Sequence, residues 1–473
     1  MLCWLLLCLA VAGAHAQLPA PLAQALQAAG VPESAVGLYV QEVGAAKPLL
    51  ALNAERGFNP ASTMKLVTTY AALELLGPAF TWSTELYAGG PVQDGVLAGD
   101  LIVKGYGDPQ LTLEEFWLML RSLRARGVRD IRGDLVLDRS YFAAEAADPA
   151  SFDNEPTRPY NTLPDALLVN FKAVRLSFVP DAQSRSVAIL PEPDHPQISI
   201  VNNLVLDQAA CGDWVERIRA EASGDDNAAR LAIGGAYSAQ CGEKERSYSL
   251  LGQRPYFGGL FRQLWKELGG SLQGEVRDGT PPAQARLLLG HASPPLAEVV
   301  RSINKFSNNV MARQLYLTLG AQQSAPPATT AKAEQAIRAW LAGKGLDMRE
   351  LVLENGAGLS RIERISARGM GELLVAAYAS PVMPELISSL PLIAVDGTLK
   401  RRLKDSAIAG RAHIKGGTLA GVRAIAGYLL ARSGRMTVVV CLVNHARAAE
   451  ARAFQDALLQ WAYGPERGGR CCK

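Results

Sequence analysis

Asn59-Pro60-Ala61-Ser62-Thr63-Met64-Lys65-Leu66-Val67-Thr68-Thr69-Tyr70-Ala71-Ala72-Leu73-Glu74-Leu75-Leu76, closed by Gly77-Pro78, governs how the rest of this chain is read. Pro60 and Ser62 are helix-start signals, and Gly77-Pro78 is a stop. The segment between them is mostly apolar, which predicts a helix buried on most of its faces. Ser62 falls in the first turn and Lys65 three residues on, so hydroxyl and amine share a face. A serine attacks a carbonyl only after a base takes its proton. A lysine is that base only when burial or another cation lowers its pKa. A helix start also favours developing negative charge. These are the parts of an acyl-enzyme site, but the spacing alone does not select it. Ser302-Ile303-Asn304-Lys305 repeats the spacing and is assigned no such role.

The composition narrows the class. At 473 residues the chain exceeds one ordinary domain. With 49% hydrophobic and 20% charged residues it is globular. A formal net charge of +3, without a dense Lys/Arg run, argues against a nucleic-acid partner. Residues 2–14 are apolar and lead to Ala14-His15-Ala16, so 1–16 read as a secretory signal peptide, although no Lys or Arg precedes the apolar run. No later run reaches the roughly 18 apolar residues of a membrane span. The expectation is a soluble exported protein with no transmembrane segment. Cys3 and Cys8 leave with the signal, Cys471 and Cys472 lie in a Gly-rich tail, and Cys441 sits in an apolar run as a core thiol. Cys211 and Cys241, in polar contexts, are free to pair in an oxidising compartment.

Along the chain, helical patterns at 22–29, 113–127, 256–268, 294–303, 309–319, 331–343 and 448–463 alternate with short strands. Residues 174–234 are strand-rich, and 149–164 form a Pro-rich join. Leu296, Val299, Val300 and Ile303 repeat at i, i+3, i+4 and i+7, and that helix breaks at Phe306-Ser307-Asn308-Asn309. Lys415-Gly416-Gly417-Thr418 lies in a strand whose two glycines permit close backbone approach. Alone, Ser307-Asn308-Asn309 is a cap and Lys-Gly-Gly a bulge. Together with Ser62 and Lys65 they give Ser-x-x-Lys, Ser-x-Asn and Lys-x-Gly in order, at helix start, helix break and strand, which is the signature of the penicillin-recognising serine enzymes.

More narrowly, the sequence resembles the D-alanyl-D-alanine carboxypeptidase/endopeptidase family, the class C low-molecular-mass penicillin-binding proteins. The matching stretches are Pro60-Ala61-Ser62-Thr63-Met64-Lys65, Gly107-Asp108-Pro109, Ser307-Asn308-Asn309, Gly358-Leu359-Ser360-Arg361, Val395-Asp396-Gly397-Thr398-Leu399 and Gly417-Thr418-Leu419. The resemblance implies an α/β (α+β) fold: a transpeptidase-like peptidase domain with two nested, strand-rich inserted domains. Ser62 and Ser307 are 245 positions apart (307 − 62), room for such an excursion. Texture changes place the peptidase domain at 17–86 and 290–467, inserted domain II at 87–160 and 246–289, and inserted domain III at 161–245.

The resemblance further implies acyl transfer on peptidoglycan stem peptides and cross-links, acylation by β-lactam antibiotics, and a periplasmic location. Ser62 is then the nucleophile, Lys65 its base and Ser307 the proton relay. Asn309 holds Lys65 and the substrate amide, and Lys415 keeps Lys65 neutral and attracts the substrate carboxylate. The N–H groups of Ser62 and Thr418 form the oxyanion hole, and Arg361 lies near the substrate side chain. No metal or organic cofactor is implied. Asp153 is given no role, and Asp396-Gly397-Thr398 reads as a structural turn. The family's usual Lys-Thr-Gly is Lys-Gly-Gly here, so a carboxylate-binding hydroxyl is missing at Gly416. Thr418 or Lys415 is left to compensate, or the preference shifts towards internal cross-links. Two rivals remain: a β-lactamase or esterase on the same scaffold, for which no deacylating glutamate is evident, and a wall-binding protein that has lost activity.

Overall fold

The computed structural model describes residues 18–144 and 147–464, so the expected signal peptide and the tail cysteines lie outside the described residues. Strand Val36–Glu42 and strand Met436–Asn444, from opposite ends of the chain, pair antiparallel along seven positions. Around them forms a five-stranded antiparallel sheet in the order Leu50–Leu52, Val36–Glu42, Met436–Asn444, Val422–Leu430, Ala412–Leu419. Successive side chains of a strand face opposite ways. Val439, Cys441 and Val443 accordingly join one apolar cluster, with the helices Ala20–Ala29 and Arg452–Tyr463. Val438, Val440 and Leu442 join another, with Lys65–Leu76, Leu296–Phe306, Asn309–Gln323, Thr330–Gly343 and Ala367–Tyr378. Helices thus cover both faces, which explains why the Met436–Asn444 strand is apolar almost without interruption.

The helix after the serine is buried all round from Lys65 to Leu73, as its sequence predicts. It starts one turn later than expected: Ala61–Met64 form a 3₁₀ turn, and the α-helix begins at Lys65. Burying Leu66, Val67 and Leu73 contributes about 2 kcal/mol each, enough to hold a lysine that burial disfavours.

The intervening chain builds separate sheets. A mixed five-stranded sheet takes strands from both of its ends: Val276–Asp278, Leu135–Asp138, Leu101–Gly105, Ser83–Ala88 and Arg286–Ala292. Two three-stranded sheets use only strands between Val174 and Tyr248. The sheets are therefore nested in sequence. Strand Ser83–Ala88 crosses the edge expected at 86, and Lys244–Tyr248 crosses that at 245, so we propose domain edges near 82 and 248 instead. A single apolar cluster runs from Leu86 and Phe116 to Tyr237, Phe257 and Phe261, so these nested sheets share a core. Cys211 and Cys241 form a disulfide there. Cys441 is a free, buried thiol, pushed up to about 12 by burial.

Candidate active site

The turn Ala61–Met64 presents Ser62 into a cleft of about 410 Å³ that Ser307, Gly416, Gly417 and Thr418 also line. Ala61, just before the serine, has φ +44°, which costs an L-residue roughly 1–2 kcal/mol. Asn59 holds it there. Asn59 Oδ1 accepts from Ala61 N (2.9 Å), its Nδ2 donates to Ser360 O (2.8 Å), and Asn444 grips the Asn59 backbone at both N (2.7 Å) and O (3.0 Å). Two glycines allow the close packing. A Cβ at Gly358 would fall 1.9 Å from Ala61 O, and one at Gly417 would fall 2.8 Å from Ser62 N and 2.9 Å from Pro60 O. Gly416 differs: a Cβ there meets only Leu399, at 3.9 Å, so the missing side chain is not forbidden by space.

Lys65 Nζ lies 3.0 Å from Ser62 Oγ and 2.5 Å from Asn309 Oδ1, and it also donates to Ala357 O. The lysine is fully buried. Burial holds its amine well below the usual lysine range; the charge of Lys415 lowers it further, against an opposing pull from Glu363. A neutral amine has two N–H donors and one lone pair. Two carbonyl oxygens, of Asn309 and Ala357, take the donors, which leaves the lone pair for the serine hydroxyl.

Ser307 ends helix Leu296–Phe306 with φ +57°, and Asn308 caps the next helix by accepting from Met311 N. That break turns Ser307 Oγ to Lys415 Nζ at 2.8 Å. Lys415 also donates to Gly416 O (2.8 Å), and burial brings it down to about 7. The site is thus built of two serine–lysine pairs. Of the expected residues the fold gathers Ser62, Lys65, Ser307, Asn309, Lys415 and Thr418.

Arg361 follows Ser360 on the Gly-rich loop. It stacks on the Phe152 ring (4.4 Å to its centre) and lines a second cavity of about 440 Å³ with Ser360, Asn355 and Arg313. Asp153 is held by Tyr160 (2.8 Å), Asn161 (2.7 Å) and the Glu155 N–H (3.1 Å). Asp396 pairs with Lys305 (2.6 Å) and accepts from Leu392 N (2.8 Å), as befits a structural turn.

Three groups escape sequence reasoning. The Ala357 carbonyl is invisible because backbone direction is not coded locally. Glu363 is buried and accepts from the N–H groups of Glu354, Asn355 and Gly356 (3.1, 3.0 and 3.0 Å), which shapes the loop that carries Ala357. Arg401, Arg402, Arg423 and Arg452 line the cleft and make its mouth basic. A glutamate seven residues beyond Gly356 in a Gly-rich loop was the only available signal for the second.

The sequence profile of the D-Ala-D-Ala carboxypeptidase 3 (S13) family matches residues 18–464. A D-alanyl-D-alanine carboxypeptidase of Actinomadura sp. (strain R39) is 28% identical over 89% of this chain and 80% of its own length. The D-alanyl-D-alanine carboxypeptidase DacB of Haemophilus influenzae is 25% identical over 87% of this chain and 85% of its own. The crystal structure of penicillin binding protein 4 (dacB) from Haemophilus influenzae superposes with a TM-score of 0.79 at 24% identity, covering 93% of this chain and 99% of that one. The chain belongs to the D-Ala-D-Ala carboxypeptidase 3 (S13) family of serine peptidases.

Proposed function

We propose that Ser62 carries the acyl group in a D-Ala-D-Ala peptidase reaction on peptidoglycan stem peptides and on their cross-links. The observation that carries this reading is Lys65: buried, 3.0 Å from Ser62 Oγ, with both its amine hydrogens claimed by carbonyls. Its lone pair takes the hydroxyl proton as Ser62 Oγ bonds to the penultimate D-Ala carbonyl carbon. The N–H groups of Ser62 and Thr418 receive the oxyanion, a donor there being worth about 10²–10³ in rate. The close approach of Gly417 to Ser62 N supports that placement. As the C–N bond breaks, Ser307 passes a proton to the leaving amine, fed from the lysines on either side. Water then hydrolyses the ester and frees Ser62. Asn309 fixes Lys65 and receives the substrate amide.

Penicillin binding protein 4 (dacB) from Haemophilus influenzae has been crystallised complexed with a novel β-lactam. We extend this to Ser62 here, with the ring carbonyl in place of the peptide carbonyl. The disulfide and the leader-like residues 1–16 support export to the periplasm. Among the described residues no helix is long and apolar enough to cross a membrane.

Labelling with a fluorescent penicillin beside Ser62→Ala, with intact mass on both, tests the reading. An adduct on wild type and none on the variant is expected. A folded wild type without adduct would sink the acyl-enzyme mechanism, and rapid release of the adduct would favour a β-lactamase.

A further inference from the structure

We propose that Arg423 is the carboxylate-recognition residue of the cleft, occupying the role left open by the absent side chain at position 416. This rests on the peptidase reading above. Gly416 and Thr418 share one face of strand Ala412–Leu419, and Arg423 is the cross-strand partner of Thr418. Arg423 Nη1 donates to Thr418 Oγ1 at 3.1 Å, so the guanidinium reaches across the strand pair into the cleft that holds Ser62, Ser307 and Gly416. Its Nη2 makes a long contact to Ala449 O (3.4 Å), and its Nε is buried with no acceptor among the described residues. Arg402 is ion-paired to Asp456 (2.5 Å), whereas Arg423 and Arg452 have no ion pair among the described residues. Glu450 and Asp456 act on Arg423 from a distance, but neither forms an ion pair with it, so the cleft still presents positive charge that an anion entering it would balance.

An arginine bracing a surface turn would be tied to that turn or to a carboxylate. Arg423 does reach the turn Ala448–Ala451 through Ala449 O, but at 3.4 Å, whereas its shorter bond, 3.1 Å, goes to the cleft hydroxyl of Thr418, and it makes no ion pair with a carboxylate among the described residues. A guanidinium presents its donors as a planar fork that fits a carboxylate with two hydrogen bonds. The carboxylate in question is the one on the carbon next to the scissile nitrogen, in the leaving group. The change to Gly416 then clears space for this fork, and the chain keeps its selection for a free carboxylate.

The test compares kcat/KM for a peptide ending in D-Ala-D-Ala with that for the same peptide ending in D-alaninamide, using the mature protein. Arg423→Ala should lower the acid-to-amide ratio by about 10- to 100-fold, chiefly through KM. Arg423→Gln, which keeps the volume and a donor to Thr418, should lower it similarly and guards against misfolding of the alanine variant. Adding Gly416→Thr to Arg423→Ala should restore part of the ratio. An unchanged ratio, or equal losses on both peptides, would overturn the assignment while leaving the peptidase reading intact. Failure of wild type to cleave either peptide would overturn the peptidase reading, and this inference with it.

Discussion

Ser62-Thr63-Met64-Lys65 and Ser302-Ile303-Asn304-Lys305 have the same spacing, and both lysines are buried: Lys65 is 0% and Lys305 4% exposed. Their surroundings separate them. Lys305 meets the Asp396 carboxylate at 2.6 Å. Lys65 meets a hydroxyl and two carbonyl oxygens, with Lys415 as its main electrostatic neighbour. An adjacent carboxylate favours the ammonium, whereas burial beside a cation favours the free amine. Spacing does not make a lysine a base: burial, helped by the cation beside it, holds the Lys65 amine down, whereas Lys305 is paired with a carboxylate.

The sharpest contrast is at the serines. Ser62→Ala should lower acylation by more than about 10⁴-fold, read as loss of the penicillin adduct. Ser302→Ala should leave the adduct intact, and equal losses would erase the distinction. Next come the lysines. Lys65→Arg puts a permanently charged group where a base is needed and should cost about 10²–10⁴ in acylation rate. Lys305→Arg keeps the pair with Asp396 and should acylate like wild type; a comparable loss would mean that both lysines act in the site.

The two glycines of Lys-Gly-Gly give a smaller, purely steric contrast. Gly417→Ala pushes a methyl against Ser62 N and Pro60 O, and a displacement of about 1 Å there costs on the order of 100-fold. Gly416→Ala meets only Leu399 and should change acylation little, so similar effects from both would contradict the packing.

The smallest expected effect is a pH dependence. Lys65 works as the free amine, so acylation falls on the acid side. Lys415 works protonated and titrates at about 7, so activity also falls as pH rises through that value. Lys415→Arg should move the alkaline limb upward. Lys415 has its folded-state pKa lowered to about 7, so between that value and the ordinary lysine range the unfolded chain binds more protons there, and Lys65, also lowered, acts in the same direction. Stability therefore rises with pH in that window, by up to about 1.4 kcal/mol per unit and group. Urea unfolding at several pH values should show the slope in wild type, and a shallower one in Lys415→Met.

Much of the site was legible because its motifs sit at breaks in local structure. Pro60 and Gly77 bracket the nucleophile helix, the apolar period ending at Ile303 exposes Ser307, and paired glycines mark the strand of Lys415. Texture changes suggested nested segments, and the edges proposed here rest on strand pairing instead. Ser83–Ala88 and Lys244–Tyr248 take their partners from strands elsewhere in the chain, and pairing, not composition, decides where a strand belongs. Arg361 sits on the same Gly-rich loop as Ala357, and its placement over Phe152, lining the cavity of about 440 Å³, is set by tertiary packing that the motif does not encode. Arg423 carried no motif, because its relation to Thr418 exists only across a strand pair.

By itself the sequence determined which residue types stand three apart on one helix face, where the helices break, and where a backbone can come close. Those follow from local geometry, which a few neighbouring residues settle. The tertiary structure alone decided which lysine faces a carboxylate and which a cation, how two carbonyls use up the hydrogens of Lys65, and that an arginine stands across the strand pair from Thr418. Each of these depends on groups far apart in the chain, and electrostatic interaction follows distance in space.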